Sequence, residues 1–193
     1  QSYIDWELII VDDGSTDDTS KIINSFVNID KRIRTIRLNE SSGGPAYPRN
    51  IGIEEANGDY LAFLDADDIW DESKLKLQID YIKRSGIDFL HCDVEYIDYL
   101  GEKSGAIKKS RFYSLLSKIF GDSFAILAIN PITLSSCVVK NHKHISFRTD
   151  TTFQAIEDWF LWIDLSLKGK KLGKLNKTLV YYRIHNSSIS LAD

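Results

Sequence analysis

Along the first hundred residues, short apolar runs alternate with segments whose apolar residues recur at helical spacing. "WELIIV" (6–11) is continuous enough for a strand buried on both faces. The polar loop at 12–17 leads into a predicted helix, capped by Thr16 or Asp17, with Ile22, Ile23 and Phe26 on one face. "RIRTIRLN" (32–39) alternates as a second strand, and "ESSGGPAYP" (40–48) is a glycine-proline loop. "RNIGIEEANG" predicts a helix stopped by Gly58, and "DYLAFLDADD" (59–68) a third strand that ends in acid. "DESKLKLQIDYIKRSG" predicts a helix capped near Asp71 or Ser73, with Leu75, Ile79 and Ile82 on one face and Gly86 at its end. "IDFLHCDVEYID" (87–98) is a fourth strand. This order implies an α/β chain with parallel strands and right-handed crossovers, in which ligands gather at the carboxyl ends of the strands.

The second half is less regular. Residues 101–125 mix lysines with aromatics and predict a mobile loop or helical pair. "ITLSSCVV" reads as a strand, "AIEDWFLWIDLSLKG" as an amphipathic helix and "LNKTLVYYRIH" as a last strand. With 43% hydrophobic and 27% charged residues, the chain can fill a core as one domain, or as one domain with an appended lobe. A net charge of −4, with no run of five like charges, excludes a nucleic-acid partner, so any phosphate must be caught locally. Cys92 and Cys137 are too few for a disulfide framework and lack metal-site spacing, so they read as packing residues in a reducing compartment. No apolar stretch approaches ~18 residues and no signal-peptide pattern opens the chain, so a soluble protein is expected.

Candidate chemistry sits where strands end. Adjacent carboxylates repel one another, so Asp12 and Asp13, directly after a strand, point to a ligand. There they can accept from a base N–H or a ribose hydroxyl. In "FLDADD", Asp65, Asp67 and Asp68 form an Asp-X-Asp turn of the kind that holds a divalent cation while leaving positions open to substrate oxygens; capping of the next helix accounts for Asp68 equally well. In "GGPAYPRNIG", Arg49 at a helix start is a planar fork suited to phosphate; a surface loop with a solvated arginine accounts for it equally well. Glu157 and Asp158 open the "EDWFLW" helix, and Trp159 and Trp162 could form an apolar, sugar-stacking wall that raises a carboxylate into the range of a general base. Arg183 and His185 leave the last strand where they could reach a phosphate or a metal; a satisfied edge histidine is the plainer account of His185.

Taken in order, "DWELIIVDDGSTDDT", "GGPAYPRNIGI", "GDYLAFLDADD", "EDWFLW" and "YRIHNSSIS" resemble the family 2 glycosyltransferases. The resemblance implies a GT-A, Rossmann-like fold, a mostly parallel sheet flanked by helices, over one domain at 1–193. Residues 1–100 would be the nucleotide-sugar half and 101–193 the less regular acceptor half. By resemblance, Asp13 recognises the base with Asp12 beside it, Arg49 contacts the nucleotide, and Asp65 lies near the ribose. Asp67 then meets the metal and diphosphate, His185 helps to hold them, and Asp158 is the catalytic base, with Glu157 and Trp159 on the acceptor side.

The implied reaction is inverting transfer from a nucleotide sugar, by family habit UDP-linked, to a glycan or lipid-linked acceptor in bacterial cell-surface polysaccharide assembly. Mg2+ or Mn2+ would be the cofactor, and the setting cytoplasmic, at the inner face of the membrane. Members of the family usually begin with a strand of the type "VSIIIPTYN" and a helix ending near "QTY". This chain opens at "QSY", so a strand and a helix are expected upstream of it, and a sheet edge is expected to be uncovered. Rival readings are a non-catalytic nucleotide- or carbohydrate-binding relative, a phospho-acceptor receiver domain and a haloacid-dehalogenase phosphatase using Asp65 as nucleophile.

Overall fold

The computed structural model describes residues 1–104, 115–116, 118–119, 121–142, 145–150 and 155–184. Its elements are β1 (Leu8–Asp12), α1 (Thr19–Val27), β2 (Ile33–Arg37), α2 (Ala46–Glu55), β3 (Tyr60–Ala62), β4 (Ile69–Trp70) and α3 (Lys74–Ser85). These are followed by β5 (Phe89–Ile97), the short α4 (Asp122–Ala125), a 3-10 turn at Leu134–Ser136, β6 (Val138–Lys140), α5 (Glu157–Leu167) and β7 (Leu172–Arg183). Two compact units share the chain: one takes residues 5–61 and 141–161, the other 1–4, 62–140 and 162–193. Among the described residues no helix is long and apolar enough to cross a membrane.

In the first unit, β1 and β2 pair in parallel from Leu8 against Ile33 to Asp12 against Arg37. α2 lies close to β1: a Cβ placed on Gly52 would sit 3.7 Å from the Val11 side chain, ordinary van der Waals contact. α1 starts later than the sequence suggests, because Asp12 first closes a turn by accepting the Ser15 N–H at 2.9 Å. Asp17 then accepts the Thr19 N–H at 3.0 Å, and Asp18 is the cap residue. Of the expected apolar face, Ile23 is buried, whereas Ile22 and Phe26 are 58% and 54% exposed. A sheet of two strands is too narrow to cover a whole helical stripe.

In the second unit, β5 is flanked by β7 in parallel and by β6 antiparallel, and β4 pairs antiparallel with the far edge of β7. The sheet is therefore mixed, since short antiparallel strands such as β4 and β6 can join without a crossover helix. Much of "DYLAFLDADD" is turn: the strand ends at Ala62, and the Asp68 N–H closes back on the Asp65 carbonyl at 3.1 Å. "ITLSSCVV" likewise keeps only its last residues in a strand. The Ser136 hydroxyl donates to the Thr133 carbonyl at 2.6 Å, a local bond that competes with the ladder. Cys92 and Cys137 are buried free thiols. Trp162, expected on a sugar-facing wall, is instead core: it has no exposed surface and stacks on Phe89, with ring centroids 6.0 Å apart and planes 9° from parallel.

α3 ends as expected, with Gly86 left-handed at φ 69° and its N–H on the Ile82 carbonyl at 3.0 Å. Its buried face is more polar than periodicity implies, carrying Lys74 and Gln78 beside Ile79 and Ile82. Gln78 donates to the Ser136 and Leu90 carbonyls at 2.9 and 3.3 Å. The Lys74 ammonium is fully buried, lies 4.0 Å from the Trp70 ring centroid and lacks a hydrogen-bond partner among the described residues.

Burial lowers the Lys74 pKa from 10.5 to about 8. Below pH 8 both the folded and unfolded chains hold this proton and the cost of burial is constant. Between about pH 8 and 10.5 the folded chain sheds the proton first, so stability rises with pH over that window. The shift corresponds to about 3 kcal/mol, offset by about 1–2 kcal/mol of cation–π attraction. Lys74→Met is expected to stabilise the protein by about 1–2 kcal/mol at pH 7 and to abolish the alkaline rise. Paired urea melts at pH 7 and 10, read as variant minus wild type, check this. The Cys92 thiol, which burial pushes up to about 11, contributes an opposite trend in both proteins. A variant-minus-wild-type difference that is the same at both pH values would show that the ammonium reaches water.

Candidate functional site

The two acids after β1 do different things. Asp12 is 4% exposed; it accepts from the Ser15 N–H at 2.9 Å and the Ser20 hydroxyl at 2.7 Å, and Arg37 lies 3.8 Å away. Those hydrogen bonds, helped by Arg37, hold its carboxyl below the usual range. Asp12 thus organises the loop that presents its neighbour. Asp13 accepts from the Ser42 N–H at 2.9 Å and from the Ser41 and Ser42 hydroxyls at 3.1 Å each. Gly14, at φ +74°, lets the two loops touch: a Cβ there would lie 2.6 Å from the Glu40 carbonyl carbon. Ser41 and Ser42 were not singled out by the sequence reading, and their only signal was the polar run ahead of the glycines. A pocket beside this loop is lined by Ser42, Tyr47, Arg148, Asp150 and Glu157, among others.

Arg49, on the first half of α2, donates from Nη1 to Glu157 Oε1 at 2.5 Å. Its guanidinium also lies 5.4 Å from the Phe147 ring centroid. The adjacent Asn50 exchanges two bonds with the Phe147 backbone, accepting its N–H at 2.7 Å and donating to its carbonyl at 2.9 Å. Glu157 is 7% exposed, and its Oε2 is buried with no hydrogen-bond partner among the described residues. Asp158 follows in the first turn of α5, where acids suit the helix dipole, and its Oδ1 accepts the Trp159 N–H at 2.6 Å. Both Asp158 and Trp159 are half-buried.

In the other unit, the turn at Asp65–Asp68 is held from two sides. Ser135, in the buried 3-10 turn, accepts the Asp65 N–H on its hydroxyl at 3.1 Å and the Trp70 indole N–H on its carbonyl at 2.8 Å. Arg183, at the end of β7, donates its N–H to Asp68 Oδ1 at 3.0 Å and its Nε to the Asp67 carbonyl at 2.9 Å. Its Nη1 reaches the Asp98 carbonyl at 2.9 Å. Burial pushes the Asp68 carboxyl up to about 6 against hydrogen bonds from Ser135 and Arg183, with the charges of Asp65 and Asp67 adding to the rise. Asp68 is therefore part of the support, whereas Asp65 and Asp67 are half-buried on the same turn. His185 lies outside the described residues.

Among the described residues, no three His, Cys, Asp or Glu side chains are grouped to hold a metal ion by themselves. The donor set still fits Mg2+ or Mn2+: Asp67 supplies hard carboxylate oxygens, and Mg2+ commonly takes one or two carboxylates together with substrate phosphates and water.

The sequence profile of Glycosyl transferase family 2 matches residues 1–132. An uncharacterized glycosyltransferase of Haemophilus influenzae is 36% identical over 129 residues, 67% of this chain and 51% of the relative. The Escherichia coli UDP-Glc:alpha-D-GlcNAc-diphosphoundecaprenol beta-1,3-glucosyltransferase WfaP is 35% identical over 192 residues, 98% of this chain and 70% of that protein. The crystal structure of Staphylococcus aureus TarS 1–349 with UDP-GlcNAc superposes with a TM-score of 0.73 at 21% identity, over 97% of this chain and 52% of that one. That likeness establishes the GT-A architecture. The chain thus spans about half the length of the Haemophilus relative and of the TarS chain.

Proposed function

Because the chain belongs to glycosyl transferase family 2, we propose that it moves a sugar from a UDP-linked donor to a hydroxyl of a glycan or lipid-linked acceptor in cell-surface polysaccharide assembly. The acidic turn after β3 carries this reading. Its supports use the Asp65 amide, the Asp67 carbonyl and the Asp68 carboxylate, an arrangement that stiffens the turn without using the Asp65 or Asp67 carboxylates. The name of the Escherichia coli relative specifies UDP-glucose and an undecaprenol-linked acceptor, and TarS has been crystallised with UDP and with UDP-GlcNAc.

In this proposal Asp13, steadied by Ser41 and Ser42, accepts from the nucleotide base. Asp65 meets the ribose, and Asp67 and His185 would hold the Mg2+ or Mn2+. When bound, the ion supplies Lewis-acid neutralisation of the departing diphosphate. Asp158 takes the proton of the acceptor hydroxyl as its oxygen forms the new bond at the anomeric carbon, while the bond to the diphosphate oxygen breaks on the opposite face. One displacement of this kind inverts configuration through an oxocarbenium-like state. An undecaprenol-type acceptor would bring the enzyme to the inner face of the membrane.

A screen of nucleotide sugars with Mg2+ or Mn2+, reading released nucleotide and sugar product, tests the reading. The expected result is acceptor-stimulated release of UDP that chelator suppresses, giving a product of inverted anomeric configuration. Binding of UDP without release of sugar from any donor would instead mark a non-catalytic relative.

A further inference from the structure

Resting on the reading of Asp158 as the base, we infer that Arg49 is a positioning residue: it fixes Asp158 by bracing the first turn of α5 through Glu157. A helix begins with four N–H groups that lack intrahelical partners, so its first turn frays unless something outside the helix holds it. Here the outside hold is an ion pair at 2.5 Å, with side chains only 18% and 9% exposed, between residues 108 positions apart. Arg49 is itself anchored: its guanidinium lies by the Phe147 ring, and Asn50, next in the chain, is double-bonded to the Phe147 backbone. Glu157 has one oxygen on Arg49 and the other buried without a hydrogen-bond partner among the described residues, so the charge of Arg49 compensates a carboxylate that water does not reach. Asp158 is the next residue of the same turn.

Proton abstraction demands close geometry, and a displacement of about 1 Å can lower a rate about 100-fold. Loosening the brace therefore reduces turnover rather than donor affinity. This differs from the role of direct nucleotide contact that the family resemblance implies for Arg49, and the two roles separate experimentally.

Arg49→Ala, Glu157→Gln and the exchanged pair Arg49→Glu with Glu157→Arg are compared for kcat, for UDP affinity by calorimetry with Mg2+, and for amide hydrogen exchange in the peptide spanning 155–162. Each single variant is expected to lose about 100-fold in kcat, to keep UDP affinity within about threefold, and to exchange faster across 155–162. The exchanged pair is expected to recover part of both losses. Glu157→Gln keeps the side-chain shape and carries the same test where Arg49→Ala does not fold. Unchanged exchange, or a drop of about tenfold or more in UDP affinity with kcat preserved, overturns the inference. A wild type that binds UDP yet never transfers sugar defeats the transferase reading, and the exchange data alone then decide whether Arg49 braces α5.

Discussion

Asp158→Asn is expected to lower glycosyl transfer by about 10²–10⁴-fold while leaving UDP affinity within about threefold of wild type. The substitution is nearly isosteric. Its side-chain oxygen can still accept the Trp159 N–H, now met at 2.6 Å, so the start of α5 keeps its geometry. What is lost is the ability to take a proton: an amide oxygen is too weak a base to deprotonate an alcohol as it attacks. The loss therefore belongs in kcat, with KM for the donor little changed. Initial-rate kinetics alongside calorimetry with UDP make the comparison, and thermal melting confirms the fold. Turnover at the wild-type rate would remove Asp158 from the role of base and leave Glu157, its neighbour in the same turn, as the next acid to examine.

Asp67→Ala is expected to reduce transfer by at least about 100-fold, the usual scale for removing one electrostatic contributor to a transition state. The dependence of UDP affinity on Mn2+ should weaken with it. The fold should survive, because Arg183 holds this residue by its backbone carbonyl at 2.9 Å, and that carbonyl remains in the variant. Calorimetric titration of UDP with and without Mn2+ gives a readout independent of activity: wild type is expected to bind UDP more tightly with the ion, and the variant to show little difference. If the variant keeps both its turnover and its metal-linked UDP affinity, Asp67 is not the metal residue of the turn.

Many of the local elements were readable in the linear pattern. α3 runs from just after Ser73 to Gly86, β5 falls within its predicted run, β1 starts inside its run and extends one residue past it to Asp12, and Cys92 and Cys137 are buried thiols as their spacing implied. Such features are decided by residues within a turn or two of one another. The acidic segments were equally visible, because charge at the end of an apolar run needs no partner to be noticed. Partner choice was not visible. Asp13 meets Ser42 across 29 residues, Arg49 meets Glu157 across 108, and Arg183 meets Asp67 across 116.

Where several partners were chemically reasonable, packing chose among them. Arg49 suited a phosphate and lies on a buried glutamate; Trp162 suited a sugar and stacks on Phe89. Asp12 and Asp13 looked equivalent, yet the first is 4% exposed and bound within its own loop while the second turns to Ser41 and Ser42. Lys74, whose long charged side chain gives no sign of it in the sequence, is fully buried against Trp70.

The order of residues alone determined the α/β class, the family and the short list of acids that chemistry can use, because backbone periodicity, capping and motif spacing are properties of near neighbours along the chain. Only the folded chain decided which of those acids brace loops and helix ends and which are presented on them. Burial and pairing depend on segments far apart in sequence, and their energies are set by which groups lose water together.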